Sequence, residues 1–270
     1  MLTKTEPSPD TLVKLAKARA ALNGQSPRLI GAQKQRIALD WIYRWGWSSA
    51  TILDLATGGG RTGLATRLVK NGLLAATKTE SGGVKGAPNS LLTLTSKGLD
   101  EAERHCLDLI QYEIDPYRID QSKLRHDGLA QRATANSLKS GNTKHFKTPK
   151  ELAAKSDKET KQPDVIWITK DDKRIGIEIE LSAKWERRLD QFVNSCMISM
   201  STSAHETNQV DQIYLVSDSK AILTRYSAAF TAGSKFNRWT KNDRGFWMST
   251  SISEVPTWVK ERMLFKFIEY

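Results

Sequence analysis

The sequence predicts an α/β chain, α+β overall: a helical first half carrying one β-hairpin, then a second half where strands and helices alternate. Three observations predict it. From Gln33 to Leu73, apolar residues recur at helical spacing. Two short β runs, "LLAATKT" and "SLLTLT", then flank a Gly-rich loop that cannot be helical. From Pro163 onward, β runs alternate with amphipathic helical stretches, the pattern of a sheet covered by helices.

Taken in order, residues 1–27 form a polar, Pro-containing arm with at most a short helix at Thr11–Leu22. A first domain spans 28–111. In it, Gln33–Trp45 places Ile37, Trp41, Ile42 and Trp45 on one helical face. "GWSSATILDLATG" reads as a second helix, capped by Ser48 or Ser49, whose hydroxyl can satisfy a first-turn amide. "GGGRTGLATRLVKNGLL" gives a third, with Leu64, Leu68 and Val69 inward and Arg61, Arg67 and Lys70 outward. The hairpin follows, its loop running from Glu80 to Asn89, and a helix from Ser96 to about Gln111 closes the unit. A second domain spans 112–270. It begins with a helix through Leu124, Leu129, Ala133 and Leu138, then a very polar surface loop with a short helix. Strands are expected at Val165–Thr169, Arg174–Leu181 and Gln212–Ser217, and helices at about Ala183–Met200 and Lys220–Phe230.

A chain of 270 residues can bury a substantial core. It carries 41 Lys+Arg against 30 Asp+Glu, a net +11. That excess favours a polyanionic partner, and nucleic acid is the commonest large one. A membrane partner is not expected, because no segment joins a basic face to a broad apolar one. No apolar run approaches the ~18 residues of a membrane span. The N-terminus lacks a signal-peptide core, so a cytoplasmic location is expected. Cys106 and Cys196 stand without metal-binding spacing and read as buried thiols.

The chemistry concentrates in "PDVIWITKDDKRIGIEIELSAKWERRL". Strand alternation sends Ile175, Ile177, Ile179 and Leu181 to one face and Glu178 and Glu180 to the other. "TKDDK" is a turn, and its length decides what Asp164 meets. An even-numbered loop centred on Asp171-Asp172 would oppose Asp164 to Ile179, on the wrong face. A three- or five-residue loop, or a bulge, opposes it to Glu178 or Glu180, and this is the register expected. Asp164, Glu178 and Glu180 would then present three hard oxygen donors suited to Mg²⁺ or Mn²⁺. On the following helix, Lys184, Arg187, Arg188 and Gln191 share one face, with Trp185, Leu189, Phe192 and Cys196 on the buried one. Acidic strand and basic helix together suit phosphodiester cleavage, in which charge builds on the phosphate. The bland alternative is a solvated sheet face, since Arg174, Gly176, Glu178, Glu180 and Ser182 are all polar or small.

Three family resemblances follow from these residues. "SSATILDLATG", "RTGLATRLVKNGLL", the loop after it and "LTLTSKGLDEA" resemble a winged helix. The resemblance implies DNA contact by Arg61, Thr62, Thr66, Arg67 and Lys70 on the third helix, and by Lys78 and Lys85 on the wing. The carboxylate hairpin resembles the PD-(D/E)xK nucleases, whose core is a mixed sheet flanked by helices. Asp164 would be the first acidic ligand and Glu178 the second. Glu180 stands where that motif has lysine, and Lys184 could supply the missing cation. Joined to a winged helix, the pattern Asp164, Glu178, Glu180, Ser182, Lys184 and Arg188 resembles the replication-relaxation family and MobC-type plasmid relaxases.

That resemblance implies a metal-dependent endonuclease that nicks plasmid DNA at a transfer origin, with accessory mobilisation proteins as further partners. Lys184 would act with the carboxylates, and Arg187 and Arg188 would contact DNA. Tyr214 and Tyr226 are possible nucleophiles for a covalent intermediate, with a core or surface role the better reading of each. His126 could shuttle a proton or hold a ligand in place. Trp239, Trp247 and Trp258 offer faces on which bases could stack, with core packing the better reading. Two alternatives stay open: a non-catalytic DNA-binding regulator on a degenerate nuclease fold, and a nuclease subunit of a transposase or restriction system. "GGGRTG" lacks the ending of a P-loop, which argues against nucleotide hydrolysis.

Overall fold

A computed structural model describes residues 8, 10, 13, 16, 24–60, 63–80, 84–106, 108–153, 162–201 and 209–269. Most of the expected arm helix at Thr11–Leu22 lies outside the described residues. Among those described the fold is mixed α/β, with nine α-helices, a five-stranded mixed sheet and two separate hairpins.

The first helix, α1 (Pro27–Trp45), starts where Ser26 accepts the Leu29 amide and Pro27 presets the first turn. It stops at Gly46, whose φ of 88° is the left-handed conformation glycine tolerates best. Trp41, Ile42 and Trp45 are buried as expected, but Ile37 lies on the rim at 36% exposure. α2 (Ala50–Ala56) is capped by Ser49; Ser48 instead pairs its backbone with Leu92. α3 (Leu64–Lys70) buries Leu64 and Leu68. β1 (Leu74–Lys78) and β2 (Ser90–Leu94) form the expected hairpin, Leu74 opposite Leu94. α4 (Ser96–Glu103), capped by Thr95, ends well short of Gln111.

After two short 3₁₀ turns, α5 (Leu124–Lys139) realises the expected periodicity. The polar stretch beyond it holds a strand the sequence reading missed, β3 (Thr143–Lys147), before the short α6 (Pro149–Ala153). β3 lies at the sheet edge, where polar residues cost little. The remaining elements are β4 (Val165–Thr169), β5 (Arg174–Ile179), α7 (Glu186–Ser199), β6 (Gln212–Ser217), α8 (Lys220–Ala229), β7 (Lys235–Lys241), β8 (Trp247–Glu254), α9 (Val259–Arg262) and β9 (Met263–Phe267). The sheet order is β3-β4-β5-β6-β9. The β3–β4 and β4–β5 pairs are antiparallel, whereas β5–β6 and β6–β9 are parallel. β7 and β8 form a separate antiparallel ribbon.

Two large apolar clusters hold this together. Ile166, Ile213 and Leu215 pack with Phe192, Val193 and Cys196 of α7 and Tyr226 of α8. The opposite sheet face, with Val165, Trp167, Ile175 and Ile177, packs on Leu129, Ala130 and Ala133 of α5. This second cluster continues without a break into Trp41, Ile42, Leu53 and Leu68 of the first three helices. The core therefore crosses the 111/112 boundary at which the sequence was divided.

A buried polar knot ties the same seam. Gln131, fully buried on α5, accepts from Trp41 Nε1 at 2.9 Å and Ser48 Oγ at 2.8 Å. Its amide nitrogen donates to the Trp47 carbonyl at 3.0 Å. Burying an amide is tolerable only because its polar atoms are used in this way.

Candidate active site

The turn between β4 and β5 settles the register. Thr169 N donates to Lys173 O at 3.0 Å, closing a three-residue loop, and Asp172 takes the left-handed conformation at φ 61°. Val165 then opposes Ile177, and Asp164 N donates to Ile177 O at 3.0 Å. One step further sets Asp164 opposite Glu178, in the odd-loop register expected from the sequence.

The sheet face carrying Glu178 and Glu180 is not solvated. Both are buried, at 3% and 5% exposure, because β5 is the central strand and α7 and α8 cover that side. Isolated buried carboxylates are costly, so their partners decide what they do. Glu180 accepts from Lys184 Nζ through one oxygen and from Tyr226 OH at 2.9 Å through the other. The Tyr226 hydroxyl is itself fully buried and accepts the Lys184 amide at 3.3 Å. Burial first, and then the Glu180 charge, hold the Tyr226 phenol well above its ordinary pKa.

Asp164 has a local structural role as well. Its Oδ2 accepts the Ile179 amide at 2.7 Å, beyond the last β4 pair. The same oxygen meets His126 Nε2 at 3.2 Å, while His126 Nδ1 meets Asp127 at 2.9 Å. Burial favours neutral His126, but the two aspartates outweigh it and push the imidazole up to about 10. Asp164, Glu178, Glu180, Lys184 and His126 line one cleft of about 510 Å³. Arg125 and Ser122, which the sequence reading passed over, line it too. Arg125 is held by Asp218, just past β6, at 2.5 Å. Arg125 is adjacent to His126 in the sequence, but nothing there signals Asp218, which lies far along the chain.

The basic helix face is redrawn. Lys184 precedes α7 and lies in the loop after β5, not on a helical stripe. Arg187 leans on Trp247 of the ribbon, 4.8 Å from its ring centre, and donates to Gln191. Arg188 is exposed, and neither arginine lines the cleft. Trp185, expected in the core, is 63% exposed, because the helix begins only at Glu186 and the preceding residues follow another path.

Of the residues expected to meet DNA, Thr66, Arg67 and Lys70 share the exposed side of α3, and Lys78 and Lys85 are exposed on the hairpin and its loop. Arg61 and Thr62 lie outside the described residues. The base of the loop is anchored by Thr79 Oγ1, which donates to Pro88 O at 2.5 Å.

The donor chemistry fits a hard divalent cation at two positions. Asp164 and Glu178 face one cleft from paired strands, and Mg²⁺ is commonly held by one or two carboxylates with water and phosphate completing its shell. Glu180 lines the same cleft with its carboxylate turned to Lys184 and Tyr226. Among the described residues, no three His, Cys, Asp or Glu side chains converge closely enough, as they stand, to hold a metal ion. No helix among those residues is long and apolar enough to cross a membrane. Comparison of the chain with protein-family models, with curated proteins and with solved structures finds no match in any of the three.

Proposed function

We propose that the chain is a metal-dependent DNA phosphodiesterase, a relaxase-like nicking endonuclease of plasmid mobilisation. On this reading the first three helices and the β1–β2 hairpin are a winged helix that finds the DNA. The five-stranded sheet is a PD-(D/E)xK-like nuclease core. The reading rests on one juxtaposition: Asp164 opposite Glu178, with the Lys184 ammonium brought to Glu180 at the third motif position.

When bound by Asp164 and Glu178, Mg²⁺ or Mn²⁺ would supply Lewis acidity to the scissile phosphate and lower the pKa of water. Lys184 offers positive charge to the phosphate in the lysine's usual role, reached from a different backbone position. Glu180 and Tyr226 position Lys184, the one through its ammonium and the other through its amide. His126 holds the Asp164 carboxylate in orientation. Tyr226 is poorly placed to attack phosphorus, because it is buried and its proton is held firmly. Tyr214 lies in the sheet with its ring edge-on to Trp167. Hydrolysis is accordingly favoured over a phosphotyrosine intermediate.

The test is nicking of supercoiled plasmid, with and without a candidate origin, in Mg²⁺ or Mn²⁺. Glu178→Ala is expected to abolish nicking while DNA binding persists; nicking at the wild-type rate would remove Glu178 from the site. Linear product in place of nicked circles would favour the transposase or restriction alternative. The engagement of Glu180 in place of a motif lysine favours a second reading, a DNA-binding regulator. That reading predicts binding without cleavage across a titration of either metal.

A further inference from the structure

We propose that Trp185 is a stacking platform for an unpaired nucleobase beside the cleft, so that the nucleic acid enters single-stranded or locally melted. The inference rests on the phosphodiesterase reading and names its substrate class.

Three local rules are broken together around this residue. Trp185 occupies the N-cap of α7 in extended conformation and makes no side-chain cap, where serine or aspartate would stabilise the helix. Glu186 takes a left-handed φ of 44°, unusual for any residue but glycine. The residue is 63% exposed, although a large aromatic side chain is ordinarily buried. Coincident departures of this kind are expected where a site is being held in place.

What holds the indole is specific. The Arg225 guanidinium lies 3.3 Å from its ring centre, and Arg225 Nε donates to the Lys184 carbonyl at 2.9 Å. One side of the ring is therefore backed by a cation, while most of the residue remains open. The next residue back is Lys184, whose side chain lines the cleft. A base stacked on the indole would place its phosphate near Lys184 and Arg225, the arrangement by which single strands are bound: aromatic faces for bases and cations for the backbone. A base in the interior of a duplex is stacked on both faces and offers none to such a platform. The cationic surroundings favour nucleic acid over an apolar protein partner.

The experiment uses a fluorescein-labelled oligo(dT) of about 12 nucleotides and a duplex of equal length, by anisotropy in EDTA so that nothing is cut. Trp185→Ala is expected to weaken single-strand binding about 5- to 150-fold. Trp185→Phe should retain most of it, and duplex affinity should be unchanged. Equal single-strand affinity in Trp185→Ala and wild type would overturn the proposal, as would absence of single-strand binding by wild type. Parallel loss on both probes would overturn it too, by pointing to charge, folding or a protein-docking role. Loss of metal-dependent nicking in Glu178→Ala is read separately, so failure here and failure of the phosphodiesterase reading cannot be confused.

Discussion

Replacing Tyr226 by phenylalanine removes one oxygen and tests both the architecture of the cleft and the chemistry proposed for it. The hydroxyl donates to a buried carboxylate oxygen of Glu180 at 2.9 Å. Hydrogen bonds to charged groups contribute about 1.5–3 kcal/mol. The contact from the Lys184 amide, at 3.3 Å, is long and adds little. The ring stays, with its edge contact to Phe192 at 5.2 Å between centres, so the cavity term is small. The expected loss is about 2–3 kcal/mol, which at roughly 2–4 °C per kcal/mol lowers Tm by about 4–12 °C.

Glu180 would keep Lys184 with one anchor fewer. Nicking should therefore slow by roughly tenfold, worth about 1.4 kcal/mol of barrier, without being abolished. The assays are thermal melting, plasmid nicking, and denaturing gels for protein joined covalently to DNA. An unchanged Tm would refute the stabilising role of the hydroxyl. A covalent adduct formed by wild type and lost in Tyr226→Phe would refute hydrolysis and make Tyr226 the nucleophile.

Two further outcomes are expected. Gln131→Leu leaves the Trp41 indole nitrogen and Ser48 hydroxyl without their acceptor in the shared core, at a cost of about 2–4 kcal/mol. Melting curves should show that loss, and a Tm equal to wild type would contradict it. Replacing both Arg67 and Lys70 by alanine should weaken duplex binding across all sequences and reduce the slope of log K against log salt by about 2. An unchanged slope would remove α3 from the DNA contact.

The legible parts of the fold were those with a strong local signal. The 124–139 helix, the β4–β5 hairpin and β6 follow from apolar spacing, and the odd turn length put Asp164 and Glu178 on one face. What escaped had a physical reason. β8 is exposed along nearly its whole length and rich in serine and threonine, so no inward and outward alternation was written into it. β3 is an edge strand of "TKHFK", with only Thr143 and Phe146 buried. Trp185 and Lys184 read as helical in the sequence because a charged, amphipathic run continues smoothly through them. The left-handed backbone at Glu186, which delays the helix, has no glycine to announce it. The partnership of Glu180 with Tyr226 joins residues 46 positions apart and is visible only once the sheet is assembled.

The unbroken core from α1 through α5 to the sheet has a consequence for how such a protein would measure distance. A recognition unit joined by a flexible tether allows cutting at variable positions around its site. Here α5 packs on the first helices through Leu129, Ala133 and Gln131 and carries His126 into the cleft from the same rigid rod. On the proposed reading the molecule is a ruler: the cut should fall at one fixed offset from the bound sequence, and base pairs inserted between the two should leave that offset unchanged, so that different bases are cut.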